Sequence, residues 1–482
     1  MKKENKALKA GVWYTISNFI IKGLAFISMP IFTRIMSGND IGMFSNITSW
    51  LSILAIITTF EIFSSVSIAR FDYKDDLNSY ISSSLFLGTI ITAIFYIIVL
   101  IFHNFFENLF MIDFQTLNIM FIYLLVYPAL QMFQIRNQIS YNYIPTIVVT
   151  LANAFLSIGI SLLLTVTMKN QLLGRIYGYF IPLIVVCFIL YIYLIIKGKS
   201  ISPKYWKYAL LISFPLIWHL LAGYLLGSAD KVMITRLVSA DANALYSVAY
   251  TLSTVVSILW SSMNNAWSPW AYEQMDKKEY INLKGYSKPY TIFFLIIVYS
   301  FMLVTPELLL IVGGEYYLQA KYVMPPVMVG YIFQFVYSLY VNIEFYHKKQ
   351  KNIAIGTIIA SIINIMLNAI FIPILGYIAA AYTTLIGYIV LFIIHFLMVK
   401  KLKCTWWYDT KFFIKILLVS ILLMVLCNLL YTFNIVRYIL VLIIFITILI
   451  FIVKNFKLII NSLKKKDFIT IINLISRKKV EE

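Results

Sequence analysis

Apolar residues occur along this chain in long blocks separated by short polar connections, without the strict alternation of a half-buried strand. At ~1.5 Å of rise per residue, about 20 such residues cross a ~30 Å hydrocarbon layer as a helix. In lipid only helices and closed barrels satisfy their own backbone, and these blocks are of helix length, so a barrel is excluded. The pattern predicts spans at 10–36, 41–68, 80–102, 117–136, 143–167, 172–196, 208–237, 241–270, 287–313, 320–345, 353–373, 376–399, 412–431 and 435–456. The expectation is therefore an all-α polytopic membrane protein of about fourteen transmembrane helices, an even count that puts both termini on one side.

Charge placement supports that count, because cytoplasmic loops collect Lys and Arg and a missed helix would scramble the alternation. One side receives Lys2, Lys3, Lys6 and Lys9, then Lys197, Lys199, Lys204 and Lys207, then Lys277, Lys278, Lys284 and Lys288. Lys348, Lys349 and Lys351 follow, then Lys400, Lys401 and Lys403. The opposite connections, 37–40, 103–116 and 373–376, are nearly free of cations. Both termini are thus expected to be cytoplasmic. Beyond the last span, Phe468, Ile471, Ile472 and Ile475 share a helical face flanked by Lys464 to Lys466 and Arg477 to Lys479, the pattern of an amphipathic tail on an anionic leaflet. Trp13, Trp206, Trp267, Trp270, Trp406 and Trp407 fall at the expected inner boundaries.

A composition of 61% hydrophobic and 12% charged residues exceeds what a soluble fold of 482 residues can bury. The formal charge of +19 would suggest nucleic acid in a soluble protein, but here it sits in loops and orients the chain, so no nucleic acid is implied. Cys187, Cys404 and Cys427 lack metal or disulfide spacing and are expected to pack. The basic N-terminus leads into an apolar run without a small-residue cleavage site, so it is expected to be the first helix, retained.

An internal repeat organises the chain. Residues 31–45, Ile-Phe-Thr-Arg-Ile-Met-Ser-Gly-Asn-Asp-Ile-Gly-Met-Phe-Ser, align without a gap at an offset of 202 with residues 233–247, Met-Ile-Thr-Arg-Leu-Val-Ser-Ala-Asp-Ala-Asn-Ala-Leu-Tyr-Ser. Thr33, Arg34, Ser37 and Ser45 match Thr235, Arg236, Ser239 and Ser247, and Asn153 is echoed by Asn364. An even number of helices separates the copies, so the halves enter the membrane in the same direction, as parallel repeats that rock around a central site do. The expected organisation is a six-helix lobe at 1–200, a second at 201–403, a helix pair at 404–460 and the tail at 461–482.

Several motifs carry a family resemblance: the turn from Pro30 to Ser37 with Gly42, Phe44 and Ser45 after it, the Asp230–Lys231 pair, and the run from Asn364 through Asn368, Pro373 and Gly376 to Ala381. Through span twelve the chain resembles the polysaccharide-export flippases of the multidrug/oligosaccharidyl-lipid/polysaccharide superfamily. The resemblance implies a MATE-like V of two lobes. It also implies transport of an undecaprenyl-diphosphate-linked oligosaccharide from the inner to the outer leaflet of a bacterial cytoplasmic membrane. The product would be a surface polysaccharide of capsule, O-antigen or teichoic type, with a polysaccharide polymerase and glycosyltransferases as partners. Fourteen spans also resemble the lipid II flippase branch, which leaves that substrate open.

A charge at mid-membrane costs roughly 2.5–3.5 kcal/mol on insertion scales and so tends to mark a wet path. Lys22 lies near the middle of span one, where it either pairs with Glu61 or faces substrate phosphate. Arg34, Arg70, Arg175 and Arg236 are the other candidate phosphate contacts, alternatively orientation signals at span ends. Asp230, Asn364, Asn368 and Thr384 offer the oxygen ligands a hard cation prefers and resemble a Na+ site of related flippases; the alternative is polar glue between helices. No cofactor is expected beyond Na+ or H+ coupling. His219 is a packing residue or a proton relay, and Trp218 and Trp260 pack or stack on sugars. Two rival functions stand: a cation-coupled drug or metabolite antiporter of the same superfamily, and a membrane glycosyl polymerase. Against the polymerase, the chain offers no long outer loop with the paired carboxylates that such chemistry needs.

Overall fold

The computed structural model describes residues 2–444, 446 and 450, and every regular element among them is helical. Thirteen of these helices are long and apolar enough to cross a membrane, which makes the chain a multi-pass membrane protein. The sequence-predicted fourteenth span, 435–456, is described only in its first part, as an apolar helix Asn434–Ile444. Its remainder and the amphipathic tail lie outside the described residues.

The chain divides into two compact units, Met1–Ala244 and Leu245–Glu482. The first holds α1 (Lys2–Ile35), α2 (Gly38–Thr59), α3 (Val66–Asp72), α4 (Leu77–Ile101), α5 (His103–Phe110), α6 (Phe114–Ile139), α7 (Tyr143–Thr167), α8 (Gln171–Gly198) and α9 (Pro203–Leu237). Helix α10 (Ala240–Asp276) begins there and from Leu245 belongs to the second unit. That unit continues with α11 (Tyr280–Leu303), α12 (Thr305–Gly313), α13 (Met324–Tyr346), α14 (Gln350–Leu375), α15 (Tyr377–Lys401) and α16 (Thr410–Leu430).

In the first unit α4, α6 and α8 pack around fully buried Leu85, Leu117, Met120, Phe121 and Phe180. Helices α7 and α8 approach until their backbones touch. A Cβ on Gly178 would fall 2.1 Å from Ser161 Cα, and one on Gly174 would fall 2.4 Å from the Leu164 carbonyl oxygen. Without a hydrophobic drive between helices in lipid, small residues of this kind allow the close dispersion contact that replaces it. In the second unit α13 is buried on all faces, as a helix central to a bundle must be. It is ringed by α11, α14, α15 and α16, and Phe335 stacks on Phe294 with ring centroids 4.4 Å apart. Arg437, 1% exposed, donates both terminal nitrogens to the Glu307 carboxylate and one of them to the Leu303 carbonyl, which pins the Asn434–Ile444 helix to α12.

Two sequence-predicted spans are interrupted. Span two was expected to run to residue 68, but α2 stops at Thr59 because Phe60 (φ 49°) and Glu61 (φ 51°) are both left-handed, and a 3-10 turn Ile62–Ser65 precedes α3. Left-handed geometry costs a non-glycine residue roughly 1–2 kcal/mol, so neighbours must hold it. Thr92 Oγ1 donates to the freed Thr58 carbonyl (3.1 Å), the Glu61 amide donates to Thr59 Oγ1 (3.3 Å), and Ser65 Oγ, bonded to Tyr80 Oη (2.6 Å), donates to the Ile62 carbonyl. Span nine, expected at 287–313, is split between α11 and α12 because Pro306 opens α12 and has no amide to continue α11.

Candidate functional site

The repeated motif is a helix stop and restart. Thr33 Oγ1 donates back to the Met29 carbonyl (3.0 Å), and Ser37 Oγ accepts the Asp40 amide (3.1 Å) as the cap of α2. In the second copy Thr235 Oγ1 donates to the Lys231 carbonyl (3.0 Å) and Ser239 Oγ accepts the Ala242 amide (3.1 Å). The Thr-Arg-x-x-Ser spacing thus ends one helix and caps the next. Arg34 and Arg236 ride on the two turns, and both are exposed. Within the first unit the copies touch. Asn243 Nδ2 donates to the Gly42 carbonyl (2.9 Å), and a Cβ at Gly42 would lie 1.7 Å from the Ala240 carbonyl oxygen, which excludes the alanine found at the matching position 244.

Arg175 meets the first turn from α8. Its guanidinium lies 4.1 Å from the Phe32 ring centre and 4.0 Å from that of Phe44, and Nη1 is 3.5 Å from Met36 Sδ. Arg236 Nη1 donates to the Asn108 carbonyl (2.7 Å), closing the end of α5. Lys22 is exposed and stands twelve residues before Arg34 on α1, ~18 Å along the axis. Glu61 is buried at the break in span two, where one oxygen accepts Ser64 Oγ (3.2 Å); among the described residues no ion pair joins it to Lys22. Arg70, half-buried on α3, covers the Phe71 ring at 4.4 Å and leaves a buried Nε without a partner. The candidate cations of the first unit are therefore strung along the depth of the spans, with Arg34 and Arg175 grouped at one turn and Arg70 beyond the far end of α2.

The candidate cation ligands are divided between the two units. Asp230, 1% exposed, lies on α9 in the first unit and accepts the Lys231 amide (3.0 Å). Asn364, Asn368 and Thr384 are together in the second unit, joined by Thr383, which the sequence did not single out. Asn364 Nδ2 donates to Thr384 Oγ1 (3.4 Å), Asn368 Nδ2 to Asn364 Oδ1 (3.3 Å) and Thr383 Oγ1 to Asn368 Oδ1. This chain of bonds ties α14 to α15.

Sequence reasoning also missed an acid–imidazole pair. Glu344 on α13 and His395 on α15 are both fully buried, with Oε1 2.6 Å from Nδ1. The signal was present as a lone acid and a lone histidine inside otherwise apolar spans. His219 is half-buried with an unpartnered Nδ1, Trp218 is exposed, and Trp260 Nε1 donates to Ser338 Oγ (3.3 Å). All three cysteines are free and buried, and burial pushes the Cys404 thiol up, away from a reactive thiolate.

A family model for polysaccharide biosynthesis proteins matches residues 7–275, more than half of the chain. The chain belongs to this family. This polysaccharide biosynthesis protein is 25% identical over 372 residues to protein 1 of the Lsg locus of Haemophilus influenzae, a match covering 74% of the chain and 89% of that protein. Its fold is similar to that of the lipid II flippase MurJ in an inward closed conformation, with a TM-score of 0.65 and 18% identity over 91% of this chain and 98% of the other. An inward-facing multidrug resistance transporter of the MATE family and MOP superfamily follows at a TM-score of 0.60 and 13% identity, covering 82% and 98%. A MOP superfamily transporter from Pyrococcus furiosus gives 0.53 and 14%, covering 82% and 95%. The polysaccharide biosynthesis protein thus has the all-α, MATE-like architecture of that superfamily, as the sequence led one to expect.

Proposed function

We propose that this polysaccharide biosynthesis protein is a flippase. It moves undecaprenyl-diphosphate-linked oligosaccharides from the inner to the outer leaflet of the bacterial cytoplasmic membrane by alternating access, with both termini cytoplasmic. The observation that carries the reading is Lys22, an exposed cation in the middle of a span, in a member of a polysaccharide biosynthesis family. Facing acyl chains it would cost roughly 2.5–3.5 kcal/mol, so this face of α1 borders water, and the solute that repays a lysine there is an anion. A diphosphate suits the set: lysine is a point charge, and arginine adds bidentate contacts.

The spread of cations along the first unit fits transfer in stages, with Arg70 near the inner end, Lys22 midway and Arg34, Arg175 and Arg236 near the outer end. With the inside negative, each negative charge moving outward gains ~2.3 kcal/mol per 100 mV, so a coupling ion is needed only to reset the empty carrier. Na+, with Asn364, Asn368 and Thr384 of the second unit among its oxygen ligands, or H+, would serve. A polymerase and glycosyltransferases would act on either side of the step. The drug-antiporter reading calls for a path suited to small cationic substrates, against which these arginines and Lys22 would act.

The test is leaflet exchange. In proteoliposomes containing undecaprenyl-diphosphate-linked oligosaccharide, the wild-type protein should expose internal substrate to a membrane-impermeant hydrolase. Exposure no faster than in protein-free vesicles would reject the reading.

A further inference from the structure

Helix α10 carries no charged side chain between Asp241 and Glu273, and inside the sequence-predicted span 241–270 it exposes Ser262, Asn265, Ala266 and Pro269. These positions are i, i+3, i+4 and i+7, one face of a helix. None of the exposed residues of α10 is a large apolar one. Helix α14 of the same unit behaves in the opposite way, for it exposes Ile355, Ile359, Ile362, Met366 and Ile370, the surface a helix turns to acyl chains. Exposed amide and hydroxyl groups within a span, with no large apolar residue beside them, belong to a face that meets water.

The face is rich in hydrogen-bonding capacity. Pro269 brings no amide to the carbonyl four residues back, so that helical bond is unmade and Asn265 offers a backbone acceptor beside its side-chain amide. Ser262 Oγ donates to the Ile258 carbonyl (2.9 Å), which leaves its lone pairs for a donor. Next to this face a line of polar groups is held in place by α13. Ser268 Oγ lies 3.3 Å from Asn264 Oδ1 and 3.2 Å from Asn342 Oδ1, and Tyr272 Oη donates to the same Asn342 oxygen (3.2 Å). Asn342 is 4% exposed, and its Nδ2 is buried without a partner, a spare donor of the kind native proteins seldom leave unmatched. Two half-buried rings complete the surface, Trp270 one turn on from Ala266 and Tyr272 one turn on from Pro269. Trp270 is itself fixed, edge-on to Tyr286 with ring centroids 5.6 Å apart and 4.8 Å from Trp267.

A wet surface without charge suits a neutral solute. A diphosphate would find no counter-charge here, and Glu273 and Asp276, exposed at the end of the same helix, would repel it. A sugar matches the set: its hydroxyls exchange hydrogen bonds with amides and hydroxyls in both directions, and its apolar C–H face rests on indole and phenol rings. Ala266 and Pro269 are small enough for a sugar ring to approach the helix between those groups. We propose that the α10 face from Ser262 to Tyr272 binds the sugar units of the lipid-linked substrate; the proposal rests on the flippase reading and makes this a site separate from the cations assigned to the diphosphate.

Two probes separate the sugar from the headgroup: undecaprenyl diphosphate, and undecaprenyl diphosphate bearing an oligosaccharide. Native mass spectrometry of the full-length protein in detergent measures the affinity for each. The wild-type protein should bind the glycosylated lipid more tightly. Asn265→Ala should weaken that binding about tenfold and change the affinity for undecaprenyl diphosphate by less than about twofold. Ala266→Trp, which fills the face from an exposed position, should give the same selective loss. Equal weakening of both lipids, or unchanged binding of the glycosylated lipid in either variant, overturns the sugar site. Wild-type binding of the two lipids with equal affinity overturns it as well and leaves the flippase reading standing. Binding of neither lipid above the level of phosphatidylcholine defeats the flippase reading, and the sugar site with it.

Discussion

The hairpin α7–α8 in the first unit and the hairpin α14–α15 in the second occupy corresponding places in the internal repeat, yet different forces close them. In the first, Gly174 and Gly178 bring two backbones into contact, and Ser161 Oγ donates across to the Arg175 carbonyl (3.0 Å). Its buried Asn153 leaves Oδ1 without a partner. In the second, the residue that echoes it, Asn364, is the middle of a chain through Asn368, Thr383 and Thr384, and the same helix α15 carries His395. A backbone contact has one fitting distance, whereas a hydrogen-bonded chain can exchange partners. Corresponding hairpins of the two halves are thus closed by backbone contact in one case and by a chain of side-chain hydrogen bonds in the other.

The largest expected effect breaks the first hairpin. Gly178→Ala puts a methyl group into the Ser161 backbone, which cannot rotate away, and overpacking of this kind costs about 1–3 kcal/mol. Thermal unfolding in detergent, followed by tryptophan fluorescence, should show a clear fall in Tm and a loss of monodisperse protein. Asn368→Ala comes next. It strips the second hairpin of a donor and an acceptor, and intramembrane bonds of this type average ~0.6 kcal/mol each, so the same assay should give a smaller drop. Asn153→Ala should have the smallest effect, within about 0.5 kcal/mol, because its carbonyl oxygen already lacks a partner. A larger loss for Asn153→Ala than for Asn368→Ala would reverse the contrast between the hairpins.

The spans were legible because lipid imposes length and apolarity on every crossing segment, and the repeat because its threonine and serine encode a turn that two places need. The kinked regions were less so. Nothing in Phe60–Glu61 marks a helix break, since neither residue is glycine or proline, and the geometry is held by Thr92 and Tyr80 from another helix. Pro306 was a visible signal, but it was absorbed into an apolar run. The Glu344–His395 pair was hidden for a similar reason. Its members are 51 residues apart, and only the packing of α13 on α15 brings them together. Conversely, the pairing of Lys22 with Glu61 entertained from sequence is absent, because α1 presents Lys22 to an exposed face while Glu61 is buried at the break.

The central claim is that Lys22 borders a wet path for an anionic lipid headgroup, and substitution in living cells tests it most directly. Lys22→Ala should abolish surface polysaccharide while the protein still inserts and unfolds at the wild-type temperature, and Lys22→Arg should restore part of the polymer. Normal surface polymer in cells whose only copy is Lys22→Ala would contradict the account.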